Sequence, residues 1–199
     1  MKTLLVAAMC LALALTVSCQ RKVVTRIDTE ETVDLSGRWN DTDSRMVSEA
    51  IVKDCLNHPW LSEHAQKTSK RPVVIVGIVR NESTEHIPVM PFISDIERAC
   101  INSGQVDVVA AATERGDIRD EREDQQKYAD EETVKKFGRE LGADYMLNGY
   151  ISSITDQEKG KKVIYYQVDL TLTNIETNQK VWIGQEKIKK LVERKSFGS

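Results

Sequence analysis

The chain has 199 residues, with 28 Lys and Arg against 31 Asp and Glu, for a formal net charge of −3. A mildly acidic, mixed-charge chain lacks the basic patch or stripe that nucleic-acid binders carry. Beyond residue 19 no apolar run approaches the roughly 20 residues a membrane-spanning helix needs, so any membrane association runs through the N-terminus.

There, Lys2 precedes an unbroken apolar run from Leu4 to Leu15, closed by Thr16-Val17-Ser18-Cys19. The run is too short to span a bilayer. A charged start, a short apolar core and a small residue before a cut site make a secretory signal. A cysteine just past that site resembles a bacterial lipobox. It implies that residues 1–18 are removed and that Cys19 is acylated on sulfur and becomes the mature N-terminus. Removing 18 of 199 residues leaves 181, enough for one domain with a core plus a tail. Lys2 is the only charge lost, so the net charge moves from −3 to −4. Of the four cysteines, Cys55 and Cys100 then remain as thiols. Both fall on apolar helical stripes, where free cysteine packs as a small hydrophobe. A bridge would need their Cα atoms within about 7 Å. No CxxC or closely spaced Cys/His set suggests a metal, and no cofactor is expected.

Gln20 to Leu35 mixes charges with isolated valines and shows no period, the composition of a flexible tether. Its sixteen residues reach at most roughly 55 Å. A single domain is expected over 36–199. Trp39 is an apolar anchor near its start, and Asp41, Thr42 or Asp43 caps a helix. Met46, Val47, Ala50, Ile51 and Cys55 form that helix's buried face, and His58-Pro59 ends it. Trp60 to Ser69 is expected to be irregular or one helical turn. Val73 to Val79 is a continuous β-branched run, the pattern of a central strand covered on both faces. After the polar loop Asn81 to His86, a helix buries Phe92, Ile93, Ile96, Ala99 and Cys100. Ser103-Gly104 ends it in left-handed form. Val106 to Ala111 is a second strand.

Arg115 to Lys127 is the most charged region, expected to be a solvated helix or loop rather than a metal or acid–base site. Asp130 to Leu141 forms another helix with Val134, Phe137 and Leu141 inward, stopped by Gly142. Three strands follow: Ala143 to Ile154, Val163 to Asn174 and Lys180 to Leu191. The middle one alternates cleanly. Ile164, Tyr166, Val168, Leu170 and Leu172 face one way and Tyr165, Gln167, Asp169 and Thr171 the other, as in an antiparallel sheet with one wet face. Glu176-Thr177-Asn178-Gln179 is a tight turn with Asn178 left-handed. The fold class is α+β (mixed α/β): one sheet of about five strands ending in a three-stranded antiparallel meander, with helices mostly on one face.

Enzyme signatures are missing from the pattern. The glycines are isolated, there is no nucleophile elbow, and His58 and His64 fit no metal spacing. Cys55 and His58, three apart at a helix end, lack an orienting third residue. The candidates are therefore contact residues. Tyr165, Gln167 and Asp169 lie on the wet face, with Tyr150 from the preceding strand. Exposed tyrosines beside adaptable polar groups suit a protein interface, with simple cross-strand pairing as the competing role. Thr84, Glu85 and His86 form a second candidate, on a loop held by a rigid scaffold.

The lipobox and tether are followed by Asp34-Leu35-Ser36-Gly37-Arg38-Trp39-Asn40-Asp41-Thr42-Asp43-Ser44. Next come Arg71-Pro72-Val73-Val74-Ile75-Val76-Gly77 and Asn81-Glu82-Ser83-Thr84-Glu85-His86-Ile87. Then follow Gly142-Ala143-Asp144-Tyr145, Tyr166-Gln167-Val168, Glu176-Thr177 and Val181-Trp182. In this order and spacing they resemble the penicillin-binding protein activator LpoB family. The resemblance implies a non-enzymatic, lipid-anchored protein of the outer membrane facing the periplasm, whose domain is similar to the N-terminal domain of TolB. The implied partner is a bifunctional, class A penicillin-binding protein whose glycan polymerisation and cross-linking are stimulated; no small-molecule substrate is implied. Gln20 after Cys19, in place of aspartate, agrees with outer-membrane sorting. The alternative is an envelope assembly or secretion lipoprotein similar to CsgG, which would need long amphipathic pore strands.

Overall fold

A computed structural model describes residues 23–29, 31–128 and 141–193. Cys19, the signal, the start of the tether, the stripe residues Val134 and Phe137, and the C-terminal residues 194–199 lie outside them. The chain divides at Thr32/Val33. The described residues before the division are exposed, and the elements below all follow it.

Helix α1 spans Asp41–Leu56. Its N-cap is Asn40, one residue before the expected candidates. The Asn40 side chain accepts from the Asp43 N–H at 3.0 Å, and the Asp43 carboxylate accepts from the Asn40 N–H at 2.9 Å. This reciprocal capping box satisfies two otherwise orphaned donors. The buried face is also rotated from the expected one. Met46 is 58% exposed and Ala50 is exposed, while Ser44, Val47, Ser48, Ile51, Val52, Cys55 and Leu56 are buried. Small serines let α1 approach its neighbour closely, and the Ser44 hydroxyl donates to Asp95 at 3.1 Å. An apolar-only stripe misses that.

Helix α2, Trp60–Thr68, is a full element where an irregular piece was expected. The buried Trp60 indole N–H donates to the Cys55 carbonyl at 2.7 Å and locks α2 to the end of α1. Strand β1 is Val73–Asn81, and helix α3, Val89–Ser103, ends at left-handed Gly104 as expected. Strand β2 is only Asp107–Val108, shorter than the apolar run that predicted it. Helix α4, Arg115–Tyr128, buries no side chain, as its charge pattern required. Leu141, expected inward, is 62% exposed.

Strands β3 (Tyr145–Glu158), β4 (Lys161–Asn174) and β5 (Lys180–Glu193) complete a curled five-stranded mixed sheet in the order β2-β1-β3-β4-β5. β1 is parallel to both β2 and β3; β3, β4 and β5 form the antiparallel meander. Lys159 and Gly160, both with positive φ, make the two-residue turn between β3 and β4, a hairpin that holds register without slip. Asn178 is left-handed in the β4–β5 turn, as expected. β1 carries an irregularity between Val76 and Val79. There the Asn148 side chain accepts from the Ile78 N–H at 2.9 Å, and a Cβ on Gly77 would lie 2.2 Å from that same oxygen.

The inward residues of β4, namely Ile164, Tyr166, Val168, Leu170 and Leu172, are at most 1% exposed. They join buried residues of α1, α2, α3, β1, β3 and β5 in one core. Trp39 packs edge-on against Phe92 and Tyr166. The segment before α1 is fastened over this core. Gly37 sits at φ +69°, where a Cβ would strike Val192 at 2.3 Å. Lys190 binds Asp34 at 2.9 Å, the Arg38 carbonyl at 3.1 Å, and the carboxylate of Asp43.

Candidate interaction surface

Because side chains alternate along a strand, the outward set of β4 lies in register with the outward sets of β3 and β5. Ile154, Tyr165 and Lys189 form one cross-strand row, Ser152, Gln167 and Lys187 the next, and Tyr150, Asp169 and Gln185 the third. The polar groups are tied together. The Tyr165 hydroxyl donates to Gln167 at 3.0 Å, the Gln167 amide donates to Asp169 at 2.7 Å, and the Gln185 amide donates to the second Asp169 oxygen at 2.8 Å. The negative charge of Asp169 holds the Tyr150 phenol above its ordinary pKa. Bonds within the surface fix these side chains in place, which lowers the entropy lost when a partner docks.

The structure thus brings Tyr150, Tyr165, Gln167 and Asp169 together. Sequence reasoning did not single out the apolar groups around them. Ile154, Ile183 and Leu191 are 68%, 63% and 60% exposed on the same face. Ile183 and Leu191 share their odd-numbered register with Lys187 and Lys189, and that alternation in β5 was the available signal. Exposed apolar groups beside anchored aromatic and polar ones have the composition of a contact patch. Among the described residues Lys187 and Lys189 form no ion pair.

Thr84, Glu85 and His86 do not join this patch. The Glu85 carboxylate accepts from the inward-facing Tyr166 hydroxyl at 2.8 Å, and its carbonyl accepts from the Asn81 amide at 2.7 Å. The Thr84 N–H donates to the Ser153 hydroxyl at 3.3 Å. Glu85 braces the core through Tyr166, while Thr84 and His86 are exposed. Burial raises the Tyr166 phenol pKa, and the hydrogen bond to the Glu85 carboxylate and its charge raise it further.

The thiols offer no nucleophile. Cys55 and Cys100 are both free and buried. Burial drives Cys55 far up and pushes Cys100 up to about 11, so neither holds a thiolate near neutrality. Among the described residues no group of three His, Cys, Asp or Glu side chains is placed to hold a metal ion. A cleft of about 700 Å³ lies between α2 and the β4–β5 turn. Its buried His64 shares a 3.0 Å hydrogen bond with the Tyr145 hydroxyl, and both rings pack edge-on as part of the core wall. Glu63, Asp144 and Glu176 balance Lys67 and Lys180 around it.

A family model described as the peptidoglycan-synthase activator LpoB matches residues 43–188. The chain belongs to the LpoB family. The match runs from the first turn of α1 into β5 and contains the whole Tyr150–Tyr165–Asp169 cluster. Activation of a synthase, the role in that family description, is regulatory. No curated protein matches the chain by sequence. Among solved structures, the LpoB C-terminal domain from Salmonella enterica is 14% identical at a TM-score of 0.44, covering 74% of this chain and 99% of that one. The LpoB C-terminal domain from Escherichia coli is 14% identical at 0.40, covering 72% and 98%. Lipoprotein GNA1162 from Neisseria meningitidis is 16% identical at 0.39, covering 63% and 88%.

Proposed function

We propose that this LpoB-family protein is anchored by a lipid on Cys19 to the outer membrane, faces the periplasm, and activates a class A bifunctional penicillin-binding protein. The observation that carries the reading is the family match over residues 43–188. The contact face is the outward side of β3, β4 and β5, with Tyr150, Tyr165, Gln167 and Asp169 at its centre and Ile154 and Leu191 beside them. Activation follows from differential binding: the protein must hold the active state of the synthase more tightly than the inactive one. The protein makes and breaks no bond in the glycan or peptide; the chemistry belongs to the partner.

The experiment is capture of class A synthases by the mature protein, followed by a glycan-polymerisation assay. The reading expects both binding and a higher polymerisation rate. Binding with an unchanged rate would sink the activator role. Replacing Cys19 with alanine is expected to release the protein from membranes with the fold intact; continued membrane association would overturn the anchor.

A further inference from the structure

A second cleft, about 460 Å³, lies beside the β3–β4 turn and differs from the large one in charge. Its walls include Ser36, Arg38, Gln157, Lys161 and Lys162, three cations with no acid among the lining residues. Glu193 neutralises one of them, pairing with Lys161 at 3.0 Å. Among the described residues the Arg38 guanidinium and the Lys162 ammonium make no ion pair. The backbone that carries Arg38 is nevertheless fixed. Lys190 holds its carbonyl at 3.1 Å, and the Ser36 hydroxyl accepts from its N–H at 3.3 Å. A forked guanidinium, an ammonium, a hydroxyl and an amide around one concavity are the donors that recognise a phosphate oxyanion. The volume falls within the 300–1,000 Å³ or so usual for small-ligand sites.

We propose that this cleft binds the phosphate of an anionic phospholipid headgroup. The choice of a membrane source rests on the proposed lipid at Cys19. Arg38 follows Cys19 by nineteen residues, so a membrane that holds Cys19 lies at most roughly 65 Å of extended chain away. Headgroup binding at the β3–β4 turn gives the domain a second point of attachment beside its tether. Because the contact is at the turn, the outward face of β3, β4 and β5 stays free for the synthase.

The test uses the full mature chain, purified in neutral detergent and isotopically labelled. It is titrated with micelles doped with phosphatidylglycerol, with micelles lacking it, and with inorganic phosphate. The expected result is saturable movement of the Arg38, Gly160, Lys161 and Lys162 amide signals with phosphatidylglycerol. Arg38→Gln with Lys162→Gln should weaken it about 30-fold, at about fivefold per basic residue near an anionic surface. An unmoved Trp182 indole signal in the variant verifies its fold. Movement spread equally over Lys187 and Lys189, equal affinity in the double variant, or saturation by inorganic phosphate with no response to phosphatidylglycerol would each overturn the proposal. The mass of the N-terminal peptide reports the anchor separately. A lipidated chain with a silent cleft contradicts only this inference, and an unlipidated chain whose cleft still binds phosphatidylglycerol contradicts only the anchor.

Discussion

The two sides of strand β4 differ in what holds them. Inward, Ile164 to Leu172 are sealed in a core where packing leaves at most 1% of any side chain exposed. Outward, Tyr165, Gln167 and Asp169 are only half-buried and bonded mainly to one another. One strand of fourteen residues therefore makes the fold on one side and presents a surface on the other. Substitutions on the two sides should therefore act differently: inward changes are expected to lower stability, and outward changes to leave it nearly unchanged.

The largest effect is expected inside. Leu170→Ala leaves a cavity at a fully buried site and should cost about 2–5 kcal/mol in denaturant unfolding. A cost below about 1 kcal/mol would mean that the core beneath β4 is not packed as described. Next comes the fastening before α1. Lys190→Met strips Asp34, Asp43 and the Arg38 carbonyl of their shared cation and should cost about 1–3 kcal/mol by the same measurement.

A pH effect follows from the same groups. Burial alone would lower the Lys190 pKa, but the hydrogen bonds and charges of Asp43 and Asp34 outweigh it and hold it above the ordinary lysine value. The Tyr166 phenol is raised as well. Both groups therefore bind protons more tightly folded than unfolded. Their stabilisation is complete below about pH 10 and is lost as pH climbs through the raised values. Thermal melts should fall in the alkaline range above about pH 10, and Tyr166→Phe should flatten that fall. An unchanged alkaline profile in the variant would separate Tyr166 from it. The smallest effect on stability is expected outside: Gln167→Ala should shift unfolding by about 0.5 kcal/mol or less.

Much of this division was legible in the sequence, because a strand's period of two separates the faces of Val163 to Asn174 directly. The α3 stripe from Phe92 to Cys100 was equally plain at the helical period. The α1 face was misplaced toward Met46 and Ala50, since Ser44 and Ser48 pack inward through small size rather than hydrophobicity. α2 was underestimated because its hold on the core comes from two polar-tipped rings, Trp60 and His64. Among the candidate residues, Tyr165, Gln167 and Asp169 were visible from alternation alone. The role of Glu85 was not, because it depends on Tyr166, 81 positions away. The cationic cleft was equally hidden: Arg38 and Lys162 meet only after the chain has folded across the sheet.

The most direct test of the account is the rate of glycan polymerisation by a class A synthase in the presence of a Tyr165→Ala, Gln167→Ala variant whose unfolding midpoint matches the unmodified protein. Binding should weaken by about 30-fold, in the range of a central interface anchor, and stimulation should be lost at concentrations where the unmodified protein is fully effective. Full stimulation by the folded variant at those concentrations would contradict the claim that the outward face of the sheet is the activating surface.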